Sequence, residues 1–122
     1  MDLAQILIAV FAGLALGWLL MRNSKVDYSK IRVINPTDFK ANMRKGQLVD
    51  VRKKDQYETD KIKGARNFRA SEITGKYSKL RKDQSVYLYC QNGKQSKKVA
   101  KKMAKAGFND IYILDGGFQN YE

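Results

Sequence analysis

The stretch that decides the fold is residues 85–117, SVYLYCQNGKQSKKVAKKMAKAGFNDIYILDGG. Val86 to Tyr89 is apolar or aromatic on both faces, as a strand in the middle of a parallel sheet requires. From Ser96 the period changes. Val99, Ala100, Met103 and Ala104 fall at i, i+1, i+4 and i+5 and form one apolar helical face, and Lys97, Lys98, Lys101, Lys102 and Lys105 cover the rest. Gly107 is a natural helix end, DIYIL is a second strand, and DGG turns the chain out of it. Strand, helix and strand at this spacing make a crossover unit between parallel strands.

Outward toward the amino end the alternation continues. IRVI (31–34) is a short β-branched run. NPTDFKANMRKG (35–46) reads as a helix, with Asn35 as N-cap, Pro36 at the first helical position, Asp38 in the first turn and Gly46 as the stop. QLVDVR (47–52) is a buried strand, KDQYETD a brief helix, IKGARNF a glycine-led return into a further short strand, and ASEITGKYSKLRKD one or two short helices with turns. The class predicted is α/β, a small domain with a central parallel sheet and helices on both faces. No internal repeat or low-complexity segment interrupts it.

Residues 3–21 are different in kind. Between Leu3 and Met21 the only strongly polar residue is Gln5, which gives a 19-residue apolar run, about enough to cross a bilayer as a helix. A cleaved signal peptide would place Lys or Arg before the run and a small-residue site after it, and the flanks MDLAQ and GWLLMRNSK offer neither. The expected organisation is therefore a transmembrane anchor over 1–22, a polar linker over 23–30 and the α/β domain over 31–122. Only Asp2 is charged before the run, whereas Arg22, Lys25, Lys30 and Arg32 follow it. That bias predicts a single-pass protein of the cell membrane with its domain in the cytoplasm. Gly13 and Gly17 form a G-x-x-x-G, a weak signal for helix pairing.

The chain carries 24 Lys and Arg against 12 Asp and Glu. All the basic residues but only 11 of the acids lie beyond Met21, which leaves +13 on the rest of the chain. Beside an anionic leaflet that charge would hold the domain to the membrane. Nucleic acid is not an expected partner, because the lysines are not interleaved with an aromatic stacking motif. With no His and one Cys there is no Ser-His-Asp or Cys-His pair, no disulfide and no metal-ligand set. No metal and no cofactor is expected.

The lone thiol, Cys90, ends the strongest strand and opens the loop Gln91–Gln95, at the sheet end where ligands of open α/β folds bind. In a tight strand–loop–helix turn, backbone N–H groups curl inward, and Gly93 supplies the positive φ that such a curl needs. The helix dipole, those donors and Lys94 would favour a thiolate, so no histidine base is required. A small buried core residue is the alternative reading of Cys90. Two other motifs fail. For a phosphate-binding G-K-[ST], Gln95 stands at the hydroxyl position and Leu88 at the first glycine. For a cysteine phosphatase, Ser96 stands where the arginine belongs.

LVDVRKKDQYETDKIKGARNF followed by VYLYCQNGKQSKKVAKKMAKAGFNDIYILDGG resembles the single-domain rhodanese family of sulfurtransferases over about residues 31–121. The elements recur in order: Asp50-Val51-Arg52, Ile62 with Gly64-Ala65 and Asn67, a C-x-x-G loop followed by Ser96, Gly107-Phe108, and Asp115-Gly116-Gly117. The resemblance implies a sulfurtransferase in which the Cys90 thiolate takes the outer sulfur of thiosulfate or a persulfide and passes it to a thiol or cyanide. It also implies that the backbone N–H groups of Gln91, Asn92, Gly93, Lys94, Gln95 and Ser96 hold the persulfide, and that Asp50 and Arg52 support the site structurally. The family often has a histidine before the I-x-G-A stretch and a proline after it. Here Lys61 and Arg69 stand there, both expected to be structural. It often places arginine before the loop's serine or threonine, where this chain has Gln95, with Lys94 one step earlier. Thiosulfate is accordingly expected to be a poor donor. A non-catalytic rhodanese-like module that binds an acidic partner or the bilayer through its basic surface is the second function class.

Overall fold

A computed structural model describes residues 2–22 and 26–121, with the side chains of the first helix described as far as Leu19. That helix, α1, runs Leu3–Arg22. Its described side chains are exposed, Leu3, Leu7, Ile8, Phe11 and Leu14 by 60–77%. Among the described residues, no helix is long and apolar enough to cross a membrane. The expected membrane helix is thus matched in extent by a helix and unsupported as a span.

Of the expected linker, residues 23–25 lie outside the described residues. The remainder belongs to the domain. Val26 packs against the buried core, and the Asp27 carboxylate accepts the Ser29 N–H at 3.0 Å to cap a 3₁₀ turn, Tyr28–Lys30.

The domain is a sheet of five parallel strands in the order β1-β5-β4-β2-β3: β1 Ile31–Ile34, β2 Gln47–Asp50, β3 Arg66–Asn67, β4 Val86–Tyr89 and β5 Ile111–Leu114. Three helices accompany them, α2 Pro36–Asn42, α3 Lys54–Thr59 and α4 Lys94–Lys105. Asn35 caps α2 by accepting the Asp38 N–H at 2.8 Å. Residues 43–45 extend α2 as a 3₁₀ turn. The segment Ile73–Lys79 is also 3₁₀ rather than α-helical.

All four residues of β4 are buried, and the pleat sends them alternately to two cores. Val86, Leu88 and Cys90 join Val99, Ala100, Met103, Phe108 and Ile73 on the α4 side. Tyr87 and Tyr89 join Phe39, Met43, Leu48 and Ile62 on the α2 side. Helices thus cover both faces of β4, and each large buried side chain of this kind contributes roughly 1.5–3 kcal/mol. The apolar face expected of α4 is the buried one, with Ser96 added to it. The helix starts at Lys94, two residues before the apolar period begins, because Gly93 adopts φ +92 and serves as its N-cap.

Candidate active site

From β2 the chain crosses to β3 on one side, and from β4 it crosses to β5 on the other. The carboxyl ends of β2 and β4 therefore form the point where the winding reverses, and a crevice opens there. It is a cleft of about 470 Å³ lined from one side by Val51, Arg52 and Lys53 and from the other by Cys90, Gln91 and Gln95.

Cys90 lies one residue past β4 and is 2% exposed. Both readings of this residue meet in one place: it packs in the core, and it lines the cleft. Its Sγ accepts the Gly93 N–H at 3.0 Å and the Ser96 N–H at 3.3 Å. Of the six loop residues expected to hold a persulfide, these two direct their amides at the sulfur. The others do different work. Asn92 Oδ1 accepts the Lys94 N–H at 3.0 Å and turns the chain into α4. The Gln91 side chain accepts from Arg52 at 3.2 Å. Gln95 lines the cleft, whereas Lys94 is exposed and is not among the residues that line it. The Ser96 hydroxyl is buried without a hydrogen-bond partner.

Asp50 and Arg52 hold the neighbouring strand end. Both are buried, Asp50 fully and Arg52 to 6% exposure. The guanidinium donates to both carboxylate oxygens at 2.8–3.2 Å and to the Asp60 carbonyl at 2.5 Å. It also lies 4.3 Å from the Phe118 ring centroid and 5.5 Å from that of Tyr89. Burial opposes the charge on Arg52, but hydrogen bonds and attraction from Asp50 outweigh it and raise the pKa of the guanidinium. Asn67 closes the network by donating to the Asp50 and Arg52 carbonyls at 3.1 and 3.0 Å. Burial likewise pushes the Tyr89 phenol up, so its oxygen stays neutral while accepting the Ile62 N–H at 3.1 Å.

Two parts of the site were not read as such in the sequence. The first is the turn after β5. Phe118 N–H donates to the Cys90 carbonyl at 2.7 Å and Gln119 N–H to the Gln91 carbonyl at 3.1 Å. A Cβ on Gly117 would lie 2.6 Å from the Gln91 and Asn92 backbone, so glycine alone permits this seat. The second is a set of cations. Lys53, Arg69, Lys98 and Lys102 all line the cleft, so Arg69 has a face on the site rather than a purely structural place. Helical spacing was the available signal: Gln95, Lys98, Val99 and Lys102 stand at i, i+3, i+4 and i+7, one stripe of α4. Among the described residues, no cluster of three His, Cys, Asp or Glu could hold a metal ion.

Comparison with known proteins gives a consistent result. The model of the rhodanese-like domain matches residues 35–122. An uncharacterized protein of Bacillus subtilis, YqhL, is 38% identical over 91 residues, 75% of this chain and 72% of that protein. The thiosulfate sulfurtransferase GlpE of Coxiella burnetii is 32% identical over 75 residues, 62% of this chain and 70% of that one. Among solved structures, a rhodanese-related protein of Thermoplasma volcanium superposes with a TM-score of 0.69 at 27% identity, over 74% of this chain and 89% of its own. The chain belongs to the rhodanese-like domain family.

Proposed function

We propose that the protein is a sulfurtransferase in which Cys90 carries sulfane sulfur as a persulfide. The observation that carries this reading is the sulfur itself: Sγ lies at the wall of a cleft and accepts two backbone N–H groups, from Gly93 and Ser96. Fixed dipoles aimed at one sulfur stabilise an anion without reorganisation when charge develops there. The Cys90 thiolate attacks the outer sulfur of a donor, thiosulfate or a persulfide, and sulfite or a thiolate leaves. The enzyme persulfide then gives that sulfur to a thiol or to cyanide. Likeness to a thiosulfate sulfurtransferase at 32% identity points the same way.

The reading extends to place. α1 is about 30 Å long at 1.5 Å per residue, close to the thickness of a bilayer core, and its apolar side chains are uncovered. Residues 3–21 would anchor the protein in the cell membrane as a single pass, with the basic domain on the cytoplasmic side. Resistance to carbonate extraction, with the domain shielded from external protease, is the outcome this placement requires.

Sulfur transfer is tested by the intact mass of the protein after exposure to thiosulfate or an organic persulfide. One sulfur atom is gained, it is lost on reduction, and Cys90→Ser gains none while keeping its melting temperature. A wild-type mass that never changes would end the catalytic reading.

A further inference from the structure

Among the described residues, none of the cations that line the cleft donates a hydrogen bond to Cys90 Sγ. Around Sγ itself the hydrogen-bond donors are neutral amides, and the side chain of the first helical turn that faces the cleft is Gln95. At 1.5 Å per residue, Lys98 and Lys102 lie about 4.5 and 10.5 Å farther along the axis of α4. Arg69, in the segment after β3, and Lys53, after β2, complete the rim. Lys53, Lys98 and Lys102 have no carboxylate within 4.0 Å among the described residues, and Arg69 has only the exposed Glu72 at 3.7 Å. Unpaired cations in a concave site focus their field on what enters it.

This arrangement discriminates between donors. In thiosulfate the charged oxygens sit on the atom bonded to the transferable sulfur, so its charge would have to be met beside Cys90, where the donors are neutral. A ligand that uses the rim carries its charge several ångströms from the reacting sulfur. The cleft volume of about 470 Å³ is that of a site for a small organic molecule, roughly 300–1,000 Å³, rather than for a single oxyanion.

The geometry points to an organic persulfide as the sulfur donor, with carboxylates or phosphates remote from its sulfur that are held by Lys98, Lys102 and Arg69. This rests on the assignment of Cys90 as the sulfur carrier. In the step, the Cys90 thiolate uses its electron pair to bond the outer sulfur of R–S–S–H, and the bond between the two donor sulfurs breaks. R–S⁻ leaves with that pair and takes the proton given up by the Cys90 thiol. The outer sulfur keeps its own hydrogen, so Cys90 becomes the persulfide with no external oxidant or reductant.

The test uses the full chain in detergent micelles and follows the mass gain at Cys90 in single-turnover loading. Four donors are compared: glutathione persulfide as a carboxylate source, coenzyme A persulfide as a phosphate source, the persulfide of mercaptoethanol as a neutral reference, and thiosulfate. At low salt the better of the two anionic persulfides loads Cys90 about tenfold faster than the neutral one, and the advantage shrinks with added salt. Lys98→Gln/Lys102→Gln removes most of that advantage, read as the ratio of anionic to neutral loading within the same variant. Lys97→Gln/Lys105→Gln removes the same charge from α4 away from the cleft and leaves the advantage in place. Whichever of the carboxylate or phosphate donors is faster names the source. Equal loading by neutral and anionic persulfides overturns the inference while leaving sulfur transfer standing, and so does an equal loss in the two double variants. If no donor loads Cys90, the sulfur-carrier assignment falls, and this inference with it.

Discussion

The ends of β2 and β4 lie side by side, with Asp50 opposite Tyr89, and they are built to opposite purposes. At the β2 end every strong polar group is satisfied. Asp50 accepts from the Arg52 backbone and guanidinium, and Arg52 goes on to Asp60 and Gln91. At the β4 end a thiol sits in a loop with two N–H groups on its sulfur and a cleft in front of it. The first end is a closed network that holds geometry, and the second keeps an acceptor open for chemistry. Arg52 connects them, since its remaining N–H grips the side chain of the first loop residue, Gln91.

The largest test of this contrast is Arg52→Ala. It leaves the fully buried Asp50 without its partner, and breaking a buried pair costs about 3–5 kcal/mol. Chemical unfolding measures it, and a loss below about 1 kcal/mol would show that the β2 end is not a scaffold. Replacing the pair together, as Asp50→Leu/Arg52→Met, should recover much of the stability, because no charge is then left buried.

Gly117→Ala attacks the β4 end from behind. Its Cβ would meet loop backbone at 2.6 Å, and the residue has φ +72 and ψ −167, a region nearly reserved for glycine. A loss of about 1–3 kcal/mol is expected, with Cys90 loading slowed about ten- to a hundredfold as the loop shifts. Gly93→Ala meets nothing closer than 3.5 Å and carries only the conformational cost, about 1–2 kcal/mol. If the two variants load equally well, the turn after β5 does not support the loop.

The smallest effects concern the first turn of α4. Gln95→Arg places a cation in the cleft beside the thiol and should lower the KM for thiosulfate about tenfold. Lys94→Ala should leave it unchanged, because Lys94 does not line the cleft. A raised KM in Lys94→Ala would return that lysine to the donor site.

The amino-acid sequence by itself determined the elements whose signals are local. The apolar run Val86–Tyr89, the 3.6-residue period of α4, the Asn35 cap, the positive-φ glycines 93 and 107 and the single Cys90 at a strand end are all readable within a few residues. The 19-residue apolar run over residues 3–21, interrupted only by Gln5, coincides with all but the last residue of α1. Tertiary structure alone decided what depends on residues far apart in the chain. It paired β1 with β5, brought the Gly117 turn onto the Gln91 backbone, and turned Arg69 and two of the six α4 lysines, Lys98 and Lys102, toward one cleft. A lysine-covered helix face has the same spacing whether water or a cleft lies beside it, and only the packing of α4 against β4 and β5 sets which lysines border the cleft.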